Sequence, residues 1–186
     1  IGSAQVLIEV KGARVVVSGD YKRARDPTCP AFEPIRCDVF ITEATFGLPV
    51  FRHPPAEGEV AKLLRSLALF PERAHFVGAY SLGKAQRLIA LLREAGYDQP
   101  IFVDAATARL CAVYAAHRVE LGALHPLDGQ ITNALAGKIV IAPPSAREPV
   151  IRSTSRSPIH IFSSCTANAT ARNGNASSPN NHSSTS

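Results

Sequence analysis

The sequence predicts an α/β protein, and three observations carry that expectation. Apolar runs of strand length alternate with stretches at helical spacing, Gly and Pro punctuate the junctions, and this pattern lasts to about Val150. A chain of 186 residues suits one domain or one and a half, long enough to bury a real core.

Taken in order, Ala4 to Val10 alternates and is β-rich, Lys11-Gly12 makes a tight turn, and Arg14 to Val17 completes a hairpin. The polar, Pro-containing stretch from Tyr21 to Pro34 reads as a loop. Asp38-Val39-Phe40-Ile41 is a continuous apolar run of the kind buried on both faces. Beyond the Pro-rich bend at Pro49 to Pro55, a helix is expected from Ala56 to Leu69, a strand over Ala74 to Ala79, and a helix from Leu82 to Ala95 closed by Gly96. Pro100 to Val103 reads as a strand, Ala105 to Ala116 as a helix, and Lys138 to Ala142 as a last strand. Such βαβ units imply a parallel sheet with helices on its faces.

From Ile151 onward there is no Leu, Val, Asp or Glu, and Ser, Asn, Thr and Ala dominate. This composition cannot offset its ordering entropy by burial, so residues 145–186 read as a disordered tail. A shifted reading frame and a natural low-complexity tail both account for the change. The absence of Met and the strand-like start at Ile1 suggest a truncated chain. Three units of the +5 net charge come from Arg152, Arg156 and Arg172, so the rest is only mildly basic; nucleic-acid binding is permitted without being argued for. Cys29, Cys37, Cys111 and Cys165 show no C-x-x-C spacing, so a reduced cytoplasmic chain is expected, and no apolar run is long enough to span a membrane.

Three places could carry chemistry. Asp20 follows a strand and a Gly, where a carboxylate is placed to ligate a metal or act as a base, with a turn-capping Asp as the plainer alternative. Lys22 and Arg23 beside it suit a polyanionic substrate or a plain solvated loop. Glu43 follows the next strand and could orient a ligand or cap a turn. The third is "GAYSLGKAQRL", Gly78 to Leu88, in which Gly78 and Gly83-Lys84 match G-x-x-x-x-G-K. Ser81 to Lys84 could hold a phosphate at a helix start, and "IFVD", ending at Asp104, looks like a second nucleotide-hydrolase element. Ala85, however, stands where a Ser or Thr hydroxyl would meet Mg²⁺. His53, His75, His117 and His125 form no metal-ligand pair and read as packed or surface residues.

Three blocks, "GSAQVLIEV…RVVVSGDYKR", "CDVFITEATFGLPVFRHP" and "LFPERAHFVGAYSLGKAQRLIALLREAGYDQPIFV", together resemble the metallo-β-lactamase-fold nucleases with a β-CASP insertion, most of all the bacterial ligase-associated DNA exonucleases. The resemblance covers Ile1 to about Pro144. It implies a partial metallo-β-lactamase αββα sandwich over residues 1–47 and an inserted βαβ (β-CASP-like) domain over 48–144, followed by the disordered tail over 145–186. It further implies that Asp20 is the acidic ligand bridging two zinc ions and that Glu43 supports the metal site. Ser81, Gly83, Lys84 and Gln86 match the LG(K/R)AQ element, near the nucleic-acid backbone or between domains. The implied partners are DNA and an ATP-dependent DNA ligase. An RNA-processing β-CASP nuclease is the nearest alternative, and a P-loop-like nucleotide-binding protein a further one. The family's H-x-H-x-D-H signature and its later histidines are absent from this sequence. With Asp20 the only metal ligand left, the chain is expected to be inactive by itself.

Overall fold

A computed structural model describes residues 1–44, 54–127, 135–146 and 159–163. Strands β1 (Gln5–Val10) and β2 (Ala13–Ser18) form the expected antiparallel hairpin, with Gln5 opposite Ser18 and Val10 opposite Ala13. Lys11 and Gly12 both adopt positive φ, 48° and 82°, the backbone that a two-residue hairpin turn requires and that glycine adopts without a Cβ penalty. Strand β3 (Val39–Ile41) adds to β2 in parallel. Its start is fixed by Asp38, whose carboxylate accepts from the Arg14 amide at 2.8 Å while its own amide donates to the Arg14 carbonyl at 2.9 Å.

This small sheet departs from expectation in its burial. Val39, Phe40 and Ile41 are 50, 41 and 53% exposed rather than buried on both faces. A continuous apolar run signals a strand meant to be covered twice, but only Val16 of β2 reaches full burial. Val6, Ile8 and Val10 of β1 are exposed as well.

The second sheet carries the core. Helix α1 (Ala56–Leu69), strand β4 (Ala74–Gly78), helix α2 (Lys84–Glu94), strand β5 (Ile101–Val103) and helix α3 (Ala105–Ala116) follow the expected alternation. Then come β6 (Leu124–Pro126), β7 (Ile139–Ala142), a 3-10 turn at Pro144–Ala146, and β8 (Ile159–Ser163). The strands lie in the order β6-β5-β7-β4-β8, every pairing parallel, as βαβ connections dictate. All four residues of β7 are fully buried, and Ile89 and Leu92 of α2 pack with Ile101, Val103, Ile139 and Ile141 in one cluster. Each such aliphatic side chain contributes about 1.5–3 kcal/mol when fully buried.

Two strands lie outside what the sequence pattern indicated. Strand β6 is three residues of mixed character, and its proline is tolerated because β6 is the sheet's edge. Strand β8 corrects the reading of 145–186 as disordered throughout. Its "IHIFS" is a short β-prone run inside a polar stretch, and its backbone pairs with β4 from Ala74↔Ile159 to Gly78↔Ser163. Residues 147–158 and 164–186 lie outside the described residues.

Helix ends explain several residues singled out above. Gly96, at φ 82°, ends α2 with its amide on the Arg93 carbonyl and that of Tyr97 on the Leu92 carbonyl. Arg93 itself donates to the carbonyls of Leu121, Tyr97, Gln99 and Ala123, fastening α2 to the segments flanking β5. Asp104 is the N-cap of α3, accepting from the amides of Ala106 and Thr107 and from the Thr107 hydroxyl. Its carboxylate is thereby engaged in ending a strand and starting a helix, which accounts for "IFVD" without a nucleotide. His75 is fully buried, its ring nitrogens against the Ser66 hydroxyl at 3.0 Å and the Arg73 carbonyl at 3.1 Å. Replacing Asp104 with Ala should cost about 1 kcal/mol. In urea unfolding, the expected result is a lower midpoint at unchanged slope; an unchanged midpoint would show the cap to be idle.

Candidate functional site

A cleft of about 1420 Å³ lies between the chain start with the loop after β2 and the helices α1, α2 and α3. Asp20 and Lys22 of that loop and Lys84 of α2, distant from both in sequence, all line it, along with Leu82 and Arg87. Asp20 stands just past the C-terminal end of β2 and is exposed, with Gly19 before it free of any neighbour within 4 Å of a would-be Cβ. Tyr21, next to Asp20, stacks on Phe32 at 4.4 Å between ring centroids and meets the edge of Phe40 at 6.0 Å. That aromatic contact anchors the Asp20 end of the loop onto β3.

The other end of the loop is tied to α2 through Asp26. Its carboxylate accepts from Lys22 Nζ at 2.6 Å and from both the amide and the hydroxyl of Thr28, at 3.0 and 2.7 Å. Arg87 of α2 approaches the same carboxylate at 3.4 Å. Burial alone would push the Asp26 carboxyl up, but the hydrogen bonds from Lys22 and Thr28 outweigh it and hold the group below its ordinary value. One residue earlier, Arg25 makes a two-pronged pair with Glu94 of α2, at 2.9 and 2.5 Å. Lys22 therefore enters the cleft as half of an ion pair with Asp26.

Gln86 shapes the other wall. It is fully buried, its side-chain oxygen accepts from the Gly83 amide at 2.7 Å, and its side-chain nitrogen donates to the Ser81 carbonyl at 2.9 Å. The Lys84 amide goes to Leu82 O and that of Ala85 to Tyr80 O. The amides of Gly83, Lys84 and Ala85 are thus turned inward onto protein acceptors. A P-loop needs such amides open toward a phosphate, so the G-x-x-x-x-G-K match is not a nucleotide cradle here. Lys84 Nζ projects instead over the Tyr80 ring, 5.0 Å from its centroid.

Glu43, Arg23 and Ser81 do not join the cleft lining; Glu43 and Arg23 are exposed, and Ser81 is engaged through its carbonyl. His117 caps α3 and His125 packs against Phe102, while His53 lies outside the described residues. Asp26 was overlooked by sequence reading, although its i,i+4 spacing from Lys22 and the Asp-Pro-Thr turn signal it. Gln86, three residues after Gly83, has the spacing of a capping-box partner. Among the described residues no group of three or more His, Cys, Asp or Glu could hold a metal ion. Asp20 alone does not fit the zinc pair that the resemblance implies. Among the described residues no helix is long and apolar enough to cross a membrane.

Comparison with known proteins points to nucleases and to one ligase. The chain is 33% identical over 136 residues to endoribonuclease ysh1 of Aspergillus fumigatus, covering 67% of this chain and 15% of that protein. It is 29% identical over 154 residues to a probable DNA ligase of Opitutus terrae, covering 79% of this chain and 14% of the ligase. Cleavage and polyadenylation specificity factor 73 of Drosophila melanogaster is 29% identical over 124 residues, 61% of this chain and 18% of that protein. The chain thus spans less than a fifth of the length of these relatives. No family model matches it. The mixed α/β fold with its parallel sheet is consistent with a partial metallo-β-lactamase and β-CASP arrangement.

Two outcomes follow from the cleft's construction. Because the folded Asp26 carboxyl titrates below its ordinary 3.8, its stabilisation is fully present above that value and is lost as pH falls through the lower folded value. Asp26→Asn should flatten the acid limb of a stability–pH curve; an unaltered acid limb contradicts the role given to the carboxylate. Gln86→Ala should destabilise the chain by about 2 kcal/mol in urea, since it empties a buried site and strands the Gly83 amide.

Proposed function

We propose that this chain is the cleft-forming portion of a β-CASP-type nuclease of the metallo-β-lactamase fold, a phosphodiester hydrolase that works on nucleic-acid ends. The observation that carries this reading is the meeting of Asp20, at the end of β2, with Lys84, at the start of α2, across one cleft. Likeness to endoribonucleases and to a probable DNA ligase supports it. In this reading the substrate is DNA, the setting is repair in the cytoplasm beside an ATP-dependent DNA ligase, and zinc supplies the activated water when a full donor set surrounds it. Of the relatives named, the ligase matches the larger share of this chain, which favours DNA; the endoribonuclease matches at higher identity, which keeps an RNA substrate as the second reading.

The chain's own residues have separable parts in this scheme. Lys84 attracts the phosphate backbone, and Asp20, without metal, repels it. Glu43 is proposed to steady the metal site from the end of β3, and Arg23 and Ser81 to lie along the strand's path. Asp20 by itself does not hold a metal pair, and among the described residues no group of three or more potential ligands stands near it, so the chain alone is proposed to be inactive.

Two measurements check this. In metal-free buffer at low salt, Lys84→Ala should weaken single-stranded oligonucleotide binding and Asp20→Asn should strengthen it, each by up to about fivefold; equal affinities for all three proteins would contradict the cleft assignment. The purified chain should carry well under one zinc per molecule and leave an oligonucleotide intact. Stoichiometric zinc accompanied by strand degradation would overturn the inactivity claim.

A further inference from the structure

We infer that Tyr80 is a nucleobase-stacking platform at the rim of the cleft, gripping a single strand by a base while Lys84 holds its phosphate. This rests on the nuclease reading and adds to it a residue and a substrate form, an unpaired strand. Tyr80 lies two residues beyond the end of β4, in the loop that leads into α2. Strands β4 and β7 are neighbours in the sheet, yet the chain leaves them in opposite directions, from β4 toward β5 and β6, and from β7 toward β8. In an open parallel sheet, ligands usually bind outside the carboxyl ends of the strands at such a point, and the Tyr80 loop leaves the carboxyl end of β4.

The loop is built to hold an aromatic ring outward. Ala79, 1% exposed, donates its amide to the Ala142 carbonyl at the end of β7, and the Tyr80 carbonyl accepts from the Ala85 amide at 3.1 Å. Gln86 fixes Ser81 and Gly83 from below. On this fixed backbone the Tyr80 side chain is 60% exposed, and Leu82, which lines the cleft, is 64% exposed. A rigid aromatic loses little freedom when a base stacks on it.

Charge favours the same occupant. Lys22 is paired with Asp26, Lys62 with Glu59, and Arg87 reaches toward Asp26, whereas Lys84 has no carboxylate partner among the described residues. Its ammonium sits over the Tyr80 ring. An exposed aromatic ring with an uncompensated cation over it matches a nucleotide, whose phosphate draws the ammonium aside and whose base stacks on the ring.

The test is a cycle between side chain and base. Oligothymidylate, oligouridylate and an abasic strand of equal length are titrated, at one fixed salt concentration, against the wild-type chain, Tyr80→Ala, Tyr80→Phe and Lys84→Ala. Tyr80→Ala should weaken binding to the base-bearing strands by about 5- to 150-fold and leave the abasic strand unchanged, while Tyr80→Phe keeps wild-type affinity. The thymidylate and uridylate arms separate a DNA strand from an RNA strand. An equal loss on the abasic strand, or no loss on any strand, overturns the platform. If Lys84→Ala still weakens binding in that case, the nuclease reading survives; if the wild type binds none of the three strands, both fall.

Discussion

The cleft depends on one fastening, the attachment of the loop after β2 to helix α2. That loop carries Asp20, and without a fixed partner its carboxylate would sweep through solvent. Asp26 supplies the fixed point. It is largely shielded, accepts from Lys22 and Thr28, and faces Arg87 across the boundary between the two sheets. The Arg25 pair with Glu94 is more exposed and screened by water, so it contributes direction more than energy. The aromatic contact of Tyr21 with Phe32 and Phe40 secures the other end of the loop. Asp20 is held between these two anchors.

The opposite wall reaches its rigidity by a different route. The "GAYSLGKAQ" stretch owes its shape to Gln86, which replaces the anion that such a loop would otherwise bind. An amide side chain that accepts from one backbone group and donates to another is a neutral substitute for a phosphate, and it closes the site that a nucleotide would need. What the loop then offers to solvent is its side chains, Tyr80, Leu82 and Lys84. The chemistry available to the wall moves from backbone amides to an aromatic face and an ammonium.

The parallel α/β unit was legible in the sequence because its signals are local and redundant. Helices α1 and α3 span the expected residues, α1 opening straight after the Pro-rich bend, and Gly96 follows α2 as its backbone freedom allows. Strands β6 and β8 were not legible, since three or five residues of mixed character acquire strand geometry only from the neighbours they pair with. Burial of β3 was misjudged for a related reason: an apolar run states that a cover is wanted, not that the described residues provide one. In the site, Asp20 and Lys84 were visible as motif residues. Lys22 was visible too, but its pairing with Asp26 depends on a loop fold that no pattern encodes. Asp104 and the glycine-lysine loop left a nucleotide-binding alternative open because a helix cap and a phosphate loop draw on the same residue types.

In the nuclease proposed, a nucleic-acid strand occupies the cleft between the loop after β2 and the start of α2. Amide hydrogen exchange, measured with and without a single-stranded oligonucleotide, tests it most directly. A strand bound there should slow exchange in two separated segments at once, residues 19–28 and 79–87, with little change elsewhere. Protection confined to the exposed β1–β3 hairpin sheet or to the arginine-bearing stretch after residue 150, with none at 19–28 and 79–87, would contradict it.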